Sequence, residues 1–264
     1  MTTIFSIFKS LLPFGLVQIL KQASVLKSAG VDTRNRSVLD YGKIETSMRI
    51  CSLELFPAGE VANLKVVIDV GANTGLWSRH FLNCVVPETH IAYEPVPAAF
   101  QALSQMLKAY PFAEARPVAL GNFQGQRTFF VTRDTTGASL LPPKSEMNTL
   151  VQGNWDIQEE IQCQADTLDH QLASLPSIDL LKIDVQGAEL EVLDGGRSVL
   201  SRTRYLLVEF NYMDQYEGGS DFISLHQKLS AEFGFYLHNI SRPLIIDSRA
   251  IYSDALYINP RFKG

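Results

Sequence analysis

Val66-Val67-Ile68-Asp69-Val70-Gly71-Ala72-Asn73-Thr74-Gly75 is the stretch on which the reading of the fold turns. The hydrophobic run Val66 to Ile68 predicts a buried parallel strand, because strands covered on both faces read as continuous apolar segments. An acid, Asp69, closes the run, and a turn built on Gly71 and Gly75 follows. After the turn comes a helical pattern carrying Trp77, Phe81 and Leu82. Strand, glycine turn and helix together make the layout of a nucleotide-type cofactor site. Glycine lets the backbone approach a ligand closely, and a helix N-terminus offers unpaired N–H groups.

The turn reads G-x-N-x-G, which differs from the G-x-G-x-x-G of dinucleotide binders. Asp69 would repel a pyrophosphate. It suits a ligand with an ammonium group and a sulfonium, which describes S-adenosyl-L-methionine. A second signal lies 25 residues further on, where Ile91-Ala92-Tyr93-Glu94 predicts the next strand and ends in an acid. A carboxylate in that place accepts both hydroxyls of a ribose. Pro95 follows Glu94 and joins it among the candidate cofactor contacts. Pro97 is placed to be the first residue of the next helix.

The chain has 264 residues, 46% of them hydrophobic, enough for one large α/β domain with a full core. Its net charge of -5, without a basic run, speaks against nucleic acid as the main partner. Cys51, Cys84 and Cys163 are far apart and form no C-x-x-C pair. They read as thiols of a reducing compartment, and a cytoplasmic location is the expectation. Residues 1–64 read as an N-terminal helical extension and 65–264 as the cofactor-binding domain. Within the extension, Ile4, Phe8, Leu11, Leu12, Leu16, Ile19, Leu20, Ala23 and Leu26 recur at helical spacing. The run is too short to span a bilayer, Pro13 and Gly15 interrupt it, and no small-residue cleavage site follows. A helical cap packed on the domain or on a second copy, giving a homodimer, is expected. Peripheral membrane contact through residues 1–26 is the competing reading.

Further along, the pattern predicts a helix over Pro97–Lys108, a third strand over Ala115–Leu120 and another over Thr128–Thr132. Residues 134–156 read as a long loop, with Ala138-Ser139-Leu140 either closing over a substrate or simply connecting. A strand is expected at Ile161–Ala165, a short helix at Thr167–Leu175, and a fourth main strand at 178–184. A helix through Leu193 and a fifth strand at Tyr205–Phe210 come next. Phe222–Phe233 is helical, and Phe235–Ile240 with Ala255–Ile258 form an antiparallel pair at the edge. This order is that of a doubly wound α/β sheet.

The strings V-I-D-V-G-A-N-T-G at 67–75, A-Y-E-P at 92–95, A-L-G at 119–121, T-L-D at 167–169 and K-I-D-V-Q-G-A-E at 182–189, with Val208-Glu209, resemble the FkbM family of S-adenosylmethionine-dependent methyltransferases. The resemblance covers roughly residues 60–260. It implies a seven-stranded Rossmann-like methyltransferase fold and, in the main, O-methylation of sugars, polyketides and other natural products. By position, it implies that Asp69, Gly71, Asn73 and Gly75 line the methionine end of the cofactor and that Glu94 holds the ribose. Ala119 and Leu120 would edge the adenine, with Asn122 available to its amine. Gln186 stands where the family usually has Glu.

Methyl transfer to a hydroxyl needs alignment of the reacting atoms and a proton acceptor in reach. Asp184 and Glu209, at the carboxyl ends of neighbouring strands, are the candidate catalytic residues, with Asp184 beside the methyl group. Two close acids raise one pKa, which suits a base; they could instead share a divalent ion. No third convincing ligand is in view, which favours chemistry without a metal. The competing structural reading makes Asp184 a helix cap and pairs Glu209 with an arginine. Glu189 reads as a residue complementing the helix dipole. His80 and His90 read as surface residues, and Tyr212 and Tyr216 as lining for a substrate pocket. Two other functions fit the same architecture: a nicotinamide-dependent oxidoreductase, disfavoured by the turn and by Asp69, and a non-catalytic cofactor-binding protein.

Overall fold

The computed structural model describes residues 49–150 and 154–263. The helical stripe expected at 1–26 lies outside these residues. The chain divides into two compact units after Leu64, with residues 80–86 grouped with the first. The described part of that first unit carries short 3-10 turns at Leu53–Leu55 and Val61–Asn63, in which Leu53, Leu55 and Val61 are buried.

The second unit is built on a seven-stranded sheet. Its strands are β1 (Val66–Val70), β2 (Thr89–Tyr93), β3 (Ala113–Arg116), β7 (Ile178–Ile183), β8 (Thr203–Asn211), β9 (Tyr236–Ile240) and β12 (Tyr252–Ile258). The spatial order is β3-β2-β1-β7-β8-β12-β9, and β10 (Ile245–Ile246) pairs separately with β11 (Arg249–Ala250). The five strands from β3 to β8 are parallel, and β12 runs antiparallel between β8 and β9. Starting from β1, the chain moves outward through β2 to β3 and returns to β7 on the other side of β1. At such a reversal the connections leave a crevice outside the carboxyl ends of the strands. Asp69 in β1, Asp184 just past β7 and Glu209 in β8 all lie toward that end.

The continuous apolar runs have the expected cause. Ile68, Leu181, Ile183, Leu206 and Val208 belong to one buried cluster, and full burial of each side chain is worth about 1.5–3 kcal/mol. Helix α1 (Leu76–Cys84) follows the glycine turn, and α2 (Pro97–Leu107) starts with Pro97 in its first turn, where a missing N–H costs nothing.

One expectation changes. The strand predicted over 115–120 is two strands in different sheets. β3 ends at Arg116; Pro117 has no N–H to continue the ladder, and Val118 N–H turns back to the Arg116 carbonyl. β4 (Ala119–Leu120) then joins a separate three-stranded sheet with β5 (Gly125–Thr132) and β6 (Ile157–Asp166), in the order β4-β6-β5. Ala119 pairs with Ala165 and Leu120 with Asp166. A second buried cluster holding Val96, Ala119, Phe129, Leu140, Ala165 and Ala188 packs this sheet with residues of the turns that follow β2 and β7.

The long loop is also more ordered than its turn formers suggest. It contains a 3-10 turn at Thr135–Gly137 and α3 (Ser145–Leu150). Ser139 is fully buried, and its backbone pairs with Phe130 in both directions. Beyond β6 lie α4 (Leu168–Gln171), α5 (Glu189–Asp194), α6 (Arg197–Ser201) and α7 (Phe222–Gln227). Thr167 caps α4, and Asp169 accepts the N–H groups of Ser198 and Val199 at the start of α6. The T-L-D string is therefore a pair of helix caps.

Candidate active site

The glycine turn is locked to the turn after β7. Gly71 N–H and Ala72 N–H both donate to the Tyr93 carbonyl, and Asp184 N–H donates to the Val70 carbonyl. Gly71 has φ +78°, and a Cβ there would stand 1.8 Å from the Asp184 carbonyl oxygen. No side chain fits. Asn73 also takes a left-handed conformation, φ 48°, which asparagine tolerates better than most residues. Its N–H donates to Glu94 Oε2 at 2.8 Å, and its Oδ1 accepts from Thr74 N–H and, at 3.3 Å, from the Thr135 hydroxyl.

Glu94 is buried just past β2, with Oε1 accepting Val96 N–H at 2.8 Å. Burial pushes its pKa up from 4.5 to about 7, against the pull of those two backbone N–H groups. Each carboxylate oxygen has one further lone pair, so the group remains able to accept hydroxyls.

Asp69 is engaged differently from a simple open acid. It is fully buried; Oδ2 accepts from the Ser78 hydroxyl at 2.7 Å and Oδ1 from Lys182 Nζ at 3.0 Å. His90 lies behind it, with Nε2 2.8 Å from Ser78 Oγ. The Ser78 proton serves Asp69, so the His90 ring donates, as a neutral imidazole. Burial lowers its pKa to about 4, which fits. His90 is thus a core residue and not the surface residue that its position beside a charged helix suggested. Asp69 acts on the site through Lys182.

Lys182 projects from the middle of the sheet and is buried with its charge intact. Asp69 and Asp184 hold its pKa above the ordinary lysine value in spite of burial, and its ammonium lies 5.6 Å from the centre of the Trp77 ring. Sequence reasoning assigned it no role. The available signal was a lysine in the otherwise apolar run Leu180-Leu181-Lys182-Ile183, since a buried cation requires a counter-ion.

Asp184 and Glu209 come together through Gln186. The Gln186 amide NH2 donates to Asp184 Oδ1 at 2.8 Å and to Glu209 Oε1 at 2.9 Å. Lys182 Nζ lies 3.3 Å from Asp184 Oδ2, so both Asp184 oxygens are held. Glu209 Oε2 has no donor among the described residues. Burial, then the charges of Asp184 and Asp254, push the Glu209 pKa well above its ordinary value. Neither competing structural reading holds among the described residues: Glu209 makes no arginine pair, and the helix that starts at Glu189 has no side-chain cap. Glu189 Oε1 accepts Val185 N–H and Gly187 N–H, and its Oε2 accepts from the Ser220 hydroxyl.

Two further residues brace this turn. Tyr216 is buried, with its ring against Gly187, where a Cβ would stand 2.8 Å from the ring, and with Trp155 at 5.3 Å between centroids. Its hydroxyl lies 2.9 Å from Gln186 Oε1. Ser139 Oγ lies 2.7 Å from the Gln186 carbonyl oxygen and 3.2 Å from that of Val185. The loop 134–141 therefore clamps the second turn. Tyr212 is half exposed, and Asn122 is exposed beside the buried Ala119 and Leu120. His238 is exposed on β9.

The fit to an adenosyl ligand rests on chain geometry. A turn of left-handed residues leaves no side chain at Gly71, and a buried carboxylate stands at its side. Among the described residues, no three His, Cys, Asp or Glu side chains group as metal ligands. No described helix is long and apolar enough to cross a membrane.

A sequence profile described as the Methyltransferase FkbM domain matches residues 69–237. The 2-O-methyltransferase NoeI of Sinorhizobium fredii is 29% identical over 163 residues, 58% of this chain and 66% of that protein. Methyltransferase 1 of Beauveria bassiana is 24% identical over 143 residues, 49% of this chain and 57% of that one. The chain thus spans less than two thirds of the length of either relative. Among solved structures, Methyltransferase FkbM from Methylobacillus flagellatus KT matches with a TM-score of 0.51 at 13% identity, covering 92% of this chain and 60% of that one. At that identity the likeness is one of fold.

Proposed function

This chain belongs to the FkbM family of methyltransferases, and from that premise we propose that it transfers a methyl group from S-adenosyl-L-methionine to a hydroxyl oxygen, with Glu209 receiving the proton. The acceptor is a small molecule or a glycan. The name of the relative NoeI, a 2-O-methyltransferase, supports oxygen as the target. The observation that carries the reading is the asymmetry of the acid pair: both Asp184 oxygens are held, whereas Glu209 keeps Oε2 open.

S-adenosylmethionine supplies a methyl group on a positively charged sulfur and leaves as a neutral thioether. Gly71, Asn73 and Gly75 would hold its methionine end, Glu94 would take its ribose hydroxyls with Pro95 alongside, and Ala119 and Leu120 would flank its adenine. Asp184, fixed by Lys182 and Gln186, would stand beside the transferred group. Glu209 must be ionised to accept a proton, and burial opposes that until a positive charge is near. The carboxylate starts negative and ends neutral, which matches the loss of charge at sulfur. In a site shielded from water such matched changes weigh more than they do in solution. When bound, the cofactor would supply the methyl group and its sulfur would keep the bonding pair, while Glu209 Oε2 would take the hydroxyl proton and pass it to water.

Incubation with methyl-labelled cofactor and a panel of sugars and polyketides tests the acceptor class. A labelled methyl on oxygen is expected in the product; label on nitrogen or carbon contradicts the proposal.

Glu94 gives a prediction on binding. Glu94→Ala removes a charged acceptor worth about 1.5–3 kcal/mol, a loss of roughly tenfold to hundredfold in affinity. The wild-type affinity should also depend on pH. Glu94 is raised to about 7 in the free protein, so its neutral form favours folding at low pH, and that advantage is lost as pH rises through 7. The ionised form is the one that accepts ribose hydroxyls. Affinity therefore falls by up to about tenfold per unit as pH drops below 7. Calorimetric titration at several pH values reads both effects. A flat profile, or an unchanged dissociation constant in Glu94→Ala, removes Glu94 from the ribose site.

A further inference from the structure

We propose that Gln186 is a positioning residue: its amide joins Asp184 to Glu209, and Tyr216 fixes that amide so that Glu209 Oε2 alone is left for the proton of the acceptor. The proposal rests on the methyl-transfer reading above and assigns the control of its proton acceptor.

The geometry leaves the amide little freedom. Its two N–H bonds reach Asp184 Oδ1 at 2.8 Å and Glu209 Oε1 at 2.9 Å, and the Tyr216 hydroxyl stands 2.9 Å from Oε1 of the same side chain. Two carboxylates can accept only from the NH2 end, so the network itself sets which way the amide points. The backbone is fixed as well. Gln186 has φ 57°, and its carbonyl oxygen is 2.7 Å from the buried Ser139 hydroxyl. An ordinary surface turn would not commit a buried tyrosine and a buried serine to the side chain and the backbone of one left-handed glutamine.

The chemical consequence follows from donor count. A glutamine here is neutral and offers one hydrogen to each acid. A glutamate would offer at most one hydrogen in total, and when ionised it would add a third negative charge. The other groups around Glu209 are Lys182 on β7, Asp254 and Tyr252 on β12, Glu189 on α5 and Tyr216. Lys182 is the cation named among these groups, and it already serves Asp69 and Asp184. The pair of acids therefore depends on the neutral donor to hold one of its members ready to ionise. The incoming positive sulfur completes the balance.

The test compares two probes that differ in that charge. S-adenosylmethionine carries the sulfonium; S-adenosylhomocysteine has a neutral sulfur and the same ribose. Proton release on binding is measured by calorimetry in buffers of different ionisation heat, across pH, on the full chain. Glu94 contributes equally with both probes, so the difference between them reports groups that sense the sulfur. Wild type should release more protons with S-adenosylmethionine. In Gln186→Glu the pH of greatest difference should rise by about one unit or more, as expected for an added like charge. Gln186→Met, which is neutral and gives no hydrogen bond, should shift it in the same direction by less, and Tyr216→Phe should do likewise. These two variants keep the test open if Gln186→Glu does not fold. Binding of both probes with the difference unmoved in the folded variants overturns the role of Gln186 and leaves methyl transfer standing. Failure of the wild type to bind either probe overturns both.

Discussion

Glu209→Gln is expected to lower turnover by about 10²–10⁴-fold, the usual contribution of a positioned general base, while affinity for S-adenosylhomocysteine, which carries no sulfonium, stays near that of the wild type. The substitution keeps the shape of the side chain and removes the open carboxylate oxygen. Affinity for that neutral ligand is expected to hold because Glu94, the proposed ribose contact, follows β2, which β1 and β7 separate from β8. The same base should give the wild type a rate that rises with pH. Its pKa is raised, so the ionised form that accepts the proton is populated only as pH rises. Glu209→Gln should lose that rising limb. A variant with wild-type turnover, or one that keeps the limb, assigns the proton to another group.

Lys182→Met is expected to produce the largest loss of stability of any single substitution in the site, about 3–5 kcal/mol. Methionine has a similar length and fills the space. The damage is electrostatic: Asp69 is fully buried, and without Lys182 its charge has only the Ser78 hydroxyl to answer it. Urea unfolding of the variant should show a lower midpoint with an unchanged slope. A double variant, Lys182→Met with Asp69→Asn, should recover part of the loss, since the uncompensated charge goes too. An unchanged midpoint in the single variant contradicts the view that this ion pair ties β1 to β7.

Much of this architecture was legible in the sequence for identifiable reasons. A parallel strand buried on both faces announces itself as an apolar run, and a turn that must pass within van der Waals range of another backbone demands glycine. Val66–Val70 with Gly71, and the acids closing successive strands, are such signals. That Asp184 and Glu209 lie close was legible because both end neighbouring strands. The placement of Ala119 and Leu120 was missed because Pro117 moves the chain between sheets, and a strand propensity does not say which sheet receives it. The character of Asp69 was missed for a different reason. An acid at a strand end is equally suited to a ligand and to a buried lysine, and the lysine stands 113 residues away. Local periodicity carries no information over that separation. The bracing by Ser139 and Tyr216 was hidden likewise, since turn formers describe where a chain bends and not what its side chains later touch.

The turn Gly71–Gly75, with Glu94 beside it, is proposed to hold S-adenosylmethionine. Calorimetric titration of the folded chain with S-adenosylmethionine, at a pH well above 7 where Glu94 is ionised, reads this binding. Saturable binding at a single site is the predicted result, with the oxidised and reduced nicotinamide dinucleotides giving no heat. Absence of binding to S-adenosylmethionine, or saturable binding of a nicotinamide dinucleotide in its place, would contradict the account.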